Sequence, residues 1–283
     1  MIDFCEILAP IADVKYTKKL IKAGATALYC GMEGFSSRPK SSDMSVEDII
    51  AAKKIASEFD VKLYVAVNAA IFEEYIDDIV KNVKNLDEHG IDAFIASDMG
   101  LIHLLLSMNL NADIHISTLA GVHNAETVRY YKNLGCKRII LSSDLYIDEM
   151  AQIVDEVDDI EYEIVADGGI CFNNNHQCNL PHFNEKSEFC VLCQKNYNIV
   201  KNGDIVKSAL PIGNAPALLH RTMGVYIGIG IHSFKIEGRT NNIDYVLARV
   251  KAMDKSRALY SENRNEIAGY LHYVYRKVKK NDG

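Results

Sequence analysis

At 283 residues, 48% of them hydrophobic and 24% charged, the chain can bury a large core, which excludes the disordered, collagenous and small disulfide-stapled classes. A net charge of -7 at pH 7 gives no global attraction for nucleic acid. Met1 to Glu6 contain no basic stretch leading into an apolar one, and no uncharged run is long enough to span a bilayer, so the expectation is a cytoplasmic protein with no membrane segment. Seven cysteines, an odd number in a reducing compartment, favour thiols and metal ligands over a disulfide framework.

From the first residues onward, short β-rich runs alternate with helical patterns. The spacing predicts strand 6–9, helix 14–24, strand 27–31, helix 45–58, strand 62–68, helix 72–89 and strand 93–97. It continues with helix 99–108, strand 113–117, helix 124–134, strand 138–142, helix 146–157 and strand 161–167. Ser45 and Asn124 stand where helices need N-caps. Gly24, Gly90 and Gly135 stand where helices should stop.

After residue 168 the rhythm breaks. Cys171, Cys178, Cys190 and Cys193 follow within 23 residues, spaced C-x6-C-x11-C-x2-C, and the stretch Phe172 to Gln177 between the first two is too polar for a core strand. Four thiolates in a ligand loop fit either a structural zinc or an iron-sulfur cluster, and spacing does not choose between them. Cys5, Cys30 and Cys136 sit in apolar segments and read as core residues. Next, Asn202-Gly203 suits the tight turn of a hairpin. Gly228-Ile229-Gly230 lacks the third glycine of a dinucleotide fingerprint and reads as a flexible approach to a last strand, 233–239, before a helix over 242–261. The C-terminal run Tyr273 to Lys280 offers tyrosines for stacking and four cations for phosphates, or else is the solvated end of a terminal helix.

Eight strands in serial βα order specify an α/β fold of the (β/α)8 TIM-barrel type, with a cysteine-rich metal-binding excursion between strands 7 and 8; a doubly wound open sheet is the alternative. The domain reading is a single barrel over 1–283, with 169–232 as the cysteine-bearing insertion and 262–283 as a helical tail. Strand parity then selects interior residues. If Leu63, Val65 and Val67 face the helices, Tyr64, Ala66 and Asn68 point inward; likewise Ile114 and Ile116 leave His115 and Ser117 inside. In the last strand Phe234 and Ile236 face outward, sending Lys235, Glu237 and Arg239 inward. Three charged groups inside a barrel need mutual pairing or a ligand, since an isolated buried charge costs several kcal/mol, on the order of the effective desolvation penalty per ion.

These segments together resemble peptidase family U32, the collagenase-like family that includes oxygen-independent hydroxylases of tRNA, rRNA and ubiquinone precursors. The resemblance runs from Glu6 to about Tyr245. It rests on Glu6-Ile7-Leu8-Ala9-Pro10, Ala27-Leu28-Tyr29-Cys30-Gly31, Ser97-Asp98-Met99-Gly100, Ile114-His115-Ile116-Ser117-Thr118, Arg138-Ile139-Ile140-Leu141 and Lys235-Ile236-Glu237-Gly238-Arg239. The family signature also maps onto Glu163, Gly168, Cys171 and Cys178, with departures at Gly169, His176 and Pro181. What the resemblance implies is a 4Fe-4S cluster on the four clustered cysteines, where spacing alone leaves zinc open, and prephenate as an oxygen donor.

The favoured expectation is therefore a hydroxylase acting on an RNA base of tRNA or rRNA, or on a small anionic or aromatic substrate. His115, Lys235, Glu237 and Arg239 form its catalytic group, and Arg38, Asn68 and Ser117 help bind substrate. A collagenase-like peptidase is the second reading, although neither an H-E-x-x-H helix nor a G-x-S-x-G elbow is present. The third is a non-catalytic iron-sulfur or zinc partner subunit, in a homo- or hetero-oligomer with a related chain.

Overall fold

Runs rich in Val, Ile and aromatic residues, each bounded by turn-forming residues, become parallel strands because helical crossovers cover their outer face. The computed structural model describes residues 5–37, 42–171, 197–209, 212–214, 220–239 and 242–262. Its first seven strands are β1 (Glu6–Pro10), β2 (Ala27–Gly31), β3 (Lys62–Ala66), β4 (Ala93–Ala96), β5 (Asp113–Ile116), β6 (Arg138–Ile140) and β7 (Glu161–Asp167). The helices between them are α1 (Thr17–Lys22), α2 (Val46–Ser57), α3 (Ile76–Glu88), α4 (Met99–Ser107), α5 (Ala125–Leu134) and α6 (Ile147–Glu156). Their caps are those the sequence offers: Ser45 accepts from the Asp48 amide at 3.2 Å and Asn124 from the Thr127 amide at 2.9 Å. Gly24, Gly90 and Gly135 leave their helices with positive φ.

Four short strands follow β7: β8 (Gly169–Cys171), β9 (Tyr197–Lys201), β10 (Asp204–Ala209) and β11 (Ile212–Asn214). β8 pairs antiparallel with β11, and β9 with β10. The β9–β10 turn is Asn202-Gly203, both residues at positive φ as a tight hairpin turn requires. Helix α7 (His220–Gly228), strand β12 (Ser233–Ile236) and helix α8 (Ile243–Glu262) complete the described chain.

β12 pairs in parallel with both β7 and β1, so the sheet closes in the order β1-β2-β3-β4-β5-β6-β7-β12. That closure excludes the open-sheet alternative. α7 corrects the reading of Gly228-Ile229-Gly230 as a flexible approach. Gly228 ends a helix, and Met223, Val225, Ile227, Ile229 and Ile231 are buried in the core. Residues 220–231 thus take the seventh helical place of the barrel, and the extra strands lie between β7 and α7. The tail beyond Glu262, with its tyrosine- and lysine-bearing run, lies outside the described residues.

The core divides as parity requires. Leu63, Val65, Val67, Ile114, Ile116, Phe234 and Ile236 join the large cluster between strands and helices, while Leu8, Tyr29, Tyr64, Ala66, Ile95 and Ile140 form a second cluster inside the barrel. Several predicted strands end early, β6 among them at Ile140 in place of 142, and two of these bear on the site. β3 stops at Ala66, after which Asn68 turns its side chain to neighbouring loops, and β12 stops at Ile236, before Gly238 takes φ 153°. Among the described residues no helix is long and apolar enough to cross a membrane.

Candidate active site at the C-terminal mouth of the barrel

The parity that places His115 and Lys235 inside also applies to strands whose charges the sequence reading left unused. Ile7, Ile139, Tyr162 and Ile164 face the helices, so Glu6, Arg138, Glu161 and Glu163 face inward. Arg138 donates five hydrogen bonds: from Nε to Glu161 at 2.8 Å, from Nη2 to Glu161 at 2.5 Å and Glu6 at 3.3 Å, and from Nη1 to Glu6 at 2.5 Å and Glu163 at 3.1 Å. A guanidinium has five N–H donors, so this one is saturated. Tyr64 and Ser233 each donate to Glu6 at 2.7 Å. Burial alone would raise the Glu6 pKa, but Arg138, Tyr64 and Ser233 outweigh it and hold the carboxyl below its ordinary value. A cavity of about 570 Å³ opens beside this network at the N-terminal mouth, lined in part by Glu6, Arg138, Glu161, His232, Lys53 and Lys62.

One layer further in, Glu163 is shared. Lys235 Nζ stands 3.3 Å from its Oε1, an ion pair without aligned hydrogen-bond geometry, and lies over the Tyr29 ring at 4.3 Å. Burial lowers the Lys235 pKa, Glu163 opposes that, and Arg239 and Arg138 add to the lowering. His115 packs edge-on against Tyr64, with ring centroids 4.8 Å apart. Burial, reinforced by Arg138, Lys235 and Lys62, takes its pKa well down and keeps the ring neutral. Its Nδ1 has no hydrogen-bond partner among the described residues.

At the C-terminal mouth, Arg239 donates from Nη1 alone, to Ser36 Oγ at 3.0 Å and to Asp43 Oδ1 at 3.2 Å. Ser36 in turn donates to Asp43 at 2.7 Å. Among the described residues Nε and Nη2 of Arg239 have no hydrogen-bond partner, though its guanidinium carbon lies 5.7 Å from the centre of the Tyr29 ring. The arrangement needs Gly31, where a Cβ would run into Arg239 Nη1 and Asp43 Oδ1. Burial pushes the Asp43 pKa up to about 6, Ser36 and Arg239 hold it back, and Glu33 adds to the rise. Asn68 donates to Ser117 Oγ at 3.2 Å and accepts from the Ser37 amide at 3.1 Å. Glu237 lies against Gly168, where a Cβ would come within 2.6 Å of its side chain.

The structure thus joins Asn68 to Ser117 and sets Lys235 and Arg239 on one tyrosine ring. It does not pair Lys235, Glu237 and Arg239 with one another. Alternate strand residues lie about 6.6 Å apart along the barrel, so each charge occupies its own layer and draws its partner from elsewhere. Lys235 takes Glu163 from β7, and Arg239 takes Asp43 from the loop after β2. Asp43 and the Arg138 network escaped the sequence reading. Parity could have found the network, whereas nothing in the sequence brings Asp43 to Arg239.

Arg38, Cys178, Cys190 and Cys193 lie outside the described residues. Cys171 is the last residue of β8, paired with Ile212 and four residues past the end of β7. The other three cysteines are buried in the helix-facing core, with burial pushing the thiols of Cys5, Cys30 and Cys136 up to about 12, which leaves them no part in a metal site. Four soft donors in one segment of sequence have the chemistry for an iron-sulfur cluster or zinc. Among the described residues no group of three or more His, Cys, Asp or Glu could hold a metal ion.

Residues 12–281 match peptidase family U32. The chain belongs to peptidase family U32. It is 33% identical over 183 residues to tRNA hydroxylation protein P of Haemophilus influenzae, covering 65% of this chain and 40% of that protein. It is 26% identical over 250 residues to the 23S rRNA 5-hydroxycytidine C2501 synthase of Escherichia coli, covering 85% of this chain and 37% of that one. The chain therefore spans about two fifths of the length of these relatives. The solved structure of the U32 peptidase Mk0906 superposes with a TM-score of 0.56 at 10% identity, over 83% of this chain and 93% of the other, which establishes a shared fold.

Proposed function

We propose that this U32 chain is an RNA hydroxylase that introduces oxygen into a base of tRNA or rRNA, with its reacting group held at the C-terminal mouth of the barrel. The observation that carries the reading is the similarity, over 65% and 85% of the chain, to two proteins named for hydroxylating RNA. The site is chemically suited to it. Arg239 offers an unspent guanidinium edge to a planar anion, as the carboxylates of a donor such as prephenate would present. His115, neutral and with Nδ1 unpartnered among the described residues, can hydrogen-bond a polar ring edge or hold a proton at that nitrogen. Lys235, held 3.3 Å from Glu163, brings a cationic partner to developing negative charge when protonated, and Asn68 with Ser117 supplies amide and hydroxyl contacts. Glu237 completes the catalytic group, and Arg38 is a second substrate clamp.

In this reading Cys171, Cys178, Cys190 and Cys193 hold a 4Fe-4S cluster. Bound there, it would supply one-electron redox chemistry. The cytoplasm, where RNA is modified, is the proposed compartment, and tRNA or rRNA the macromolecular partner.

The test is nucleoside analysis by mass spectrometry of tRNA and rRNA from cells lacking the gene. One nucleoside should lose the mass of an oxygen atom, and wild type should restore it while Cys171→Ala should not. Unchanged RNA in the deletion strain overturns the RNA reading. Protein prepared without air should contain iron and acid-labile sulfide in about equal amounts. Cys171→Ala should lose both and Cys136→Ala keep them; stoichiometric zinc without sulfide would refute the cluster.

A further inference from the structure

Asp43 and Ser36 join Arg239 to the loop after β2, and the geometry of Asp43 has a consequence for any ligand that Arg239 receives. Asp43 Oδ1 is held by Ser36 at 2.7 Å and by Arg239 Nη1 at 3.2 Å, while Oδ2 has no partner among the described residues. Both side chains are almost wholly buried, Asp43 at 1% exposure and Arg239 at 6%. Gly31 forms the wall behind them and fixes their places. Arg239 Nη1 therefore serves Asp43 and Ser36, while the Nε and Nη2 edge has no hydrogen-bond partner among the described residues and has the shape to receive a two-oxygen anion.

We infer that Asp43, Ser36 and Arg239 form a proton-coupled anion site, in which a carboxylate or similar oxyanion takes the free edge of Arg239 while Asp43 takes up one proton. The inference deepens the reading of Arg239 as a ligand-binding group and does not need the ligand to be RNA.

The coupling follows from charge. Unliganded, the site holds one cation and one anion. A second anion on the far edge of the same guanidinium gives two negative charges about 5 Å apart in a poorly solvated place, and like charges at that distance disfavour ionisation of both. Asp43 is the one prepared to yield, because burial and Glu33 already bring its pKa to about 6. Protonation lets Asp43 act as a hydrogen-bond donor through its carboxylic O–H and releases the full charge of Arg239 to the ligand. The remaining neighbour is Cys30 on β2, whose thiol is neutral with its pKa pushed up to about 12. Among the described residues, the groups acting on Asp43 are thus Ser36, Arg239, Glu33 and Cys30.

Isothermal titration calorimetry of the whole protein, with malonate as the carboxylate and sulfate as the non-titrating tetrahedral oxyanion, tests this. Titrations at pH 7 in two buffers of different ionisation enthalpy count the protons exchanged. Wild type should take up close to one proton per bound anion, and its affinity should rise up to about tenfold from pH 8 to pH 7. In Asp43→Asn the uptake should disappear, binding should lose its pH dependence, and affinity at pH 8 should exceed that of wild type. Stronger binding of malonate marks a carboxylate site, and stronger binding of sulfate marks a phosphate site. Binding without proton uptake in wild type overturns the proposal, as does a retained pH dependence in Asp43→Asn or failure of both anions to bind. The wild-type proton count stands even if the variant does not fold. Loss of the RNA phenotype with an intact proton count would remove only the hydroxylase reading, and the converse would remove only this one.

Discussion

Among the described residues two arginines face the inside of this barrel, one at each mouth, and they are used in opposite ways. Arg138, at the N-terminal end, has every N–H donor engaged by three carboxylates. Arg239, at the C-terminal end, has one nitrogen engaged and two open among the described residues. A saturated guanidinium can do nothing but hold strands together, while a half-used one retains affinity for something else. The difference supports the proposed placement of the site at the second mouth, although the cavity of about 570 Å³ lies at the first. Barrels keep stability at the N-terminal face and chemistry at the C-terminal one, and here the hydrogen-bond tally of two side chains reports the same division.

The comparison can be broken by mutation. Its largest expected effect is on Arg138→Met, which strands the buried carboxylates of Glu6 and Glu163 and should cost about 3–5 kcal/mol in urea unfolding. A loss below about 1 kcal/mol would mean that the network is not the staple described. Gly31→Ala comes next. The added methyl displaces Arg239 and Asp43, so a loss of about 1–3 kcal/mol is expected together with loss of anion binding. A variant that melts and binds like wild type would contradict the packing of that wall.

A smaller effect concerns pH. The raised Asp43 pKa means that its contribution to stability is fully present below the unfolded value, near 3.8, and is lost as pH rises through about 6. Glu6 has the opposite sign, because its lowered pKa gives stability that is present above about 4.5 and is lost as pH falls through the folded value. Between pH 4 and 6, therefore, Asp43→Asn should flatten a downward slope of on the order of 1 kcal/mol in the unfolding free energy, discounted for partial solvent screening. A slope unchanged in the variant would assign it to another group. The smallest change in stability belongs to Arg239→Lys, under about 0.5 kcal/mol, since the charge opposite Asp43 remains. Its affinity for a dicarboxylate such as prephenate should nonetheless fall about tenfold, because an ammonium cannot reproduce a two-point fork. If stability falls and affinity does not, Arg239 belongs with Arg138 as a staple.

Alternation of β-branched runs with capped helices made the barrel legible from sequence, and parity made its lining legible. Tyr64, His115 and Lys235 face where alternation sends them. What alternation cannot supply is the partner of each lining residue. Pairing across a barrel depends on which layers the stagger of the strands brings level, so Lys235 meets Glu163 and not its own neighbours Glu237 and Arg239. Asp43 was hidden for another reason. It lies in a loop with no periodicity, and its burial comes from the glycine wall at Gly31. Helix α7 was missed because Gly224 and Gly228 interrupt the helical pattern, and packing of Met223 and Val225 into the core overrides their weak propensity.

The direct pairing of β7 with β12, from Glu163 beside Ser233 to Asp167 beside Ile236, closes the barrel without the strands that lie between them in sequence. The shape of the barrel therefore does not depend on pairing with the segment that carries the clustered cysteines. If the cysteine segment carries an oxygen-sensitive cluster, air would strip the protein of its chemistry and leave the barrel closed. A preparation with a sharp melting transition and a clean circular-dichroism spectrum could then be wholly inert. In that case a negative assay on aerobically purified protein would measure the history of the sample, and activity would have to be judged per mole of cluster, not per mole of folded chain.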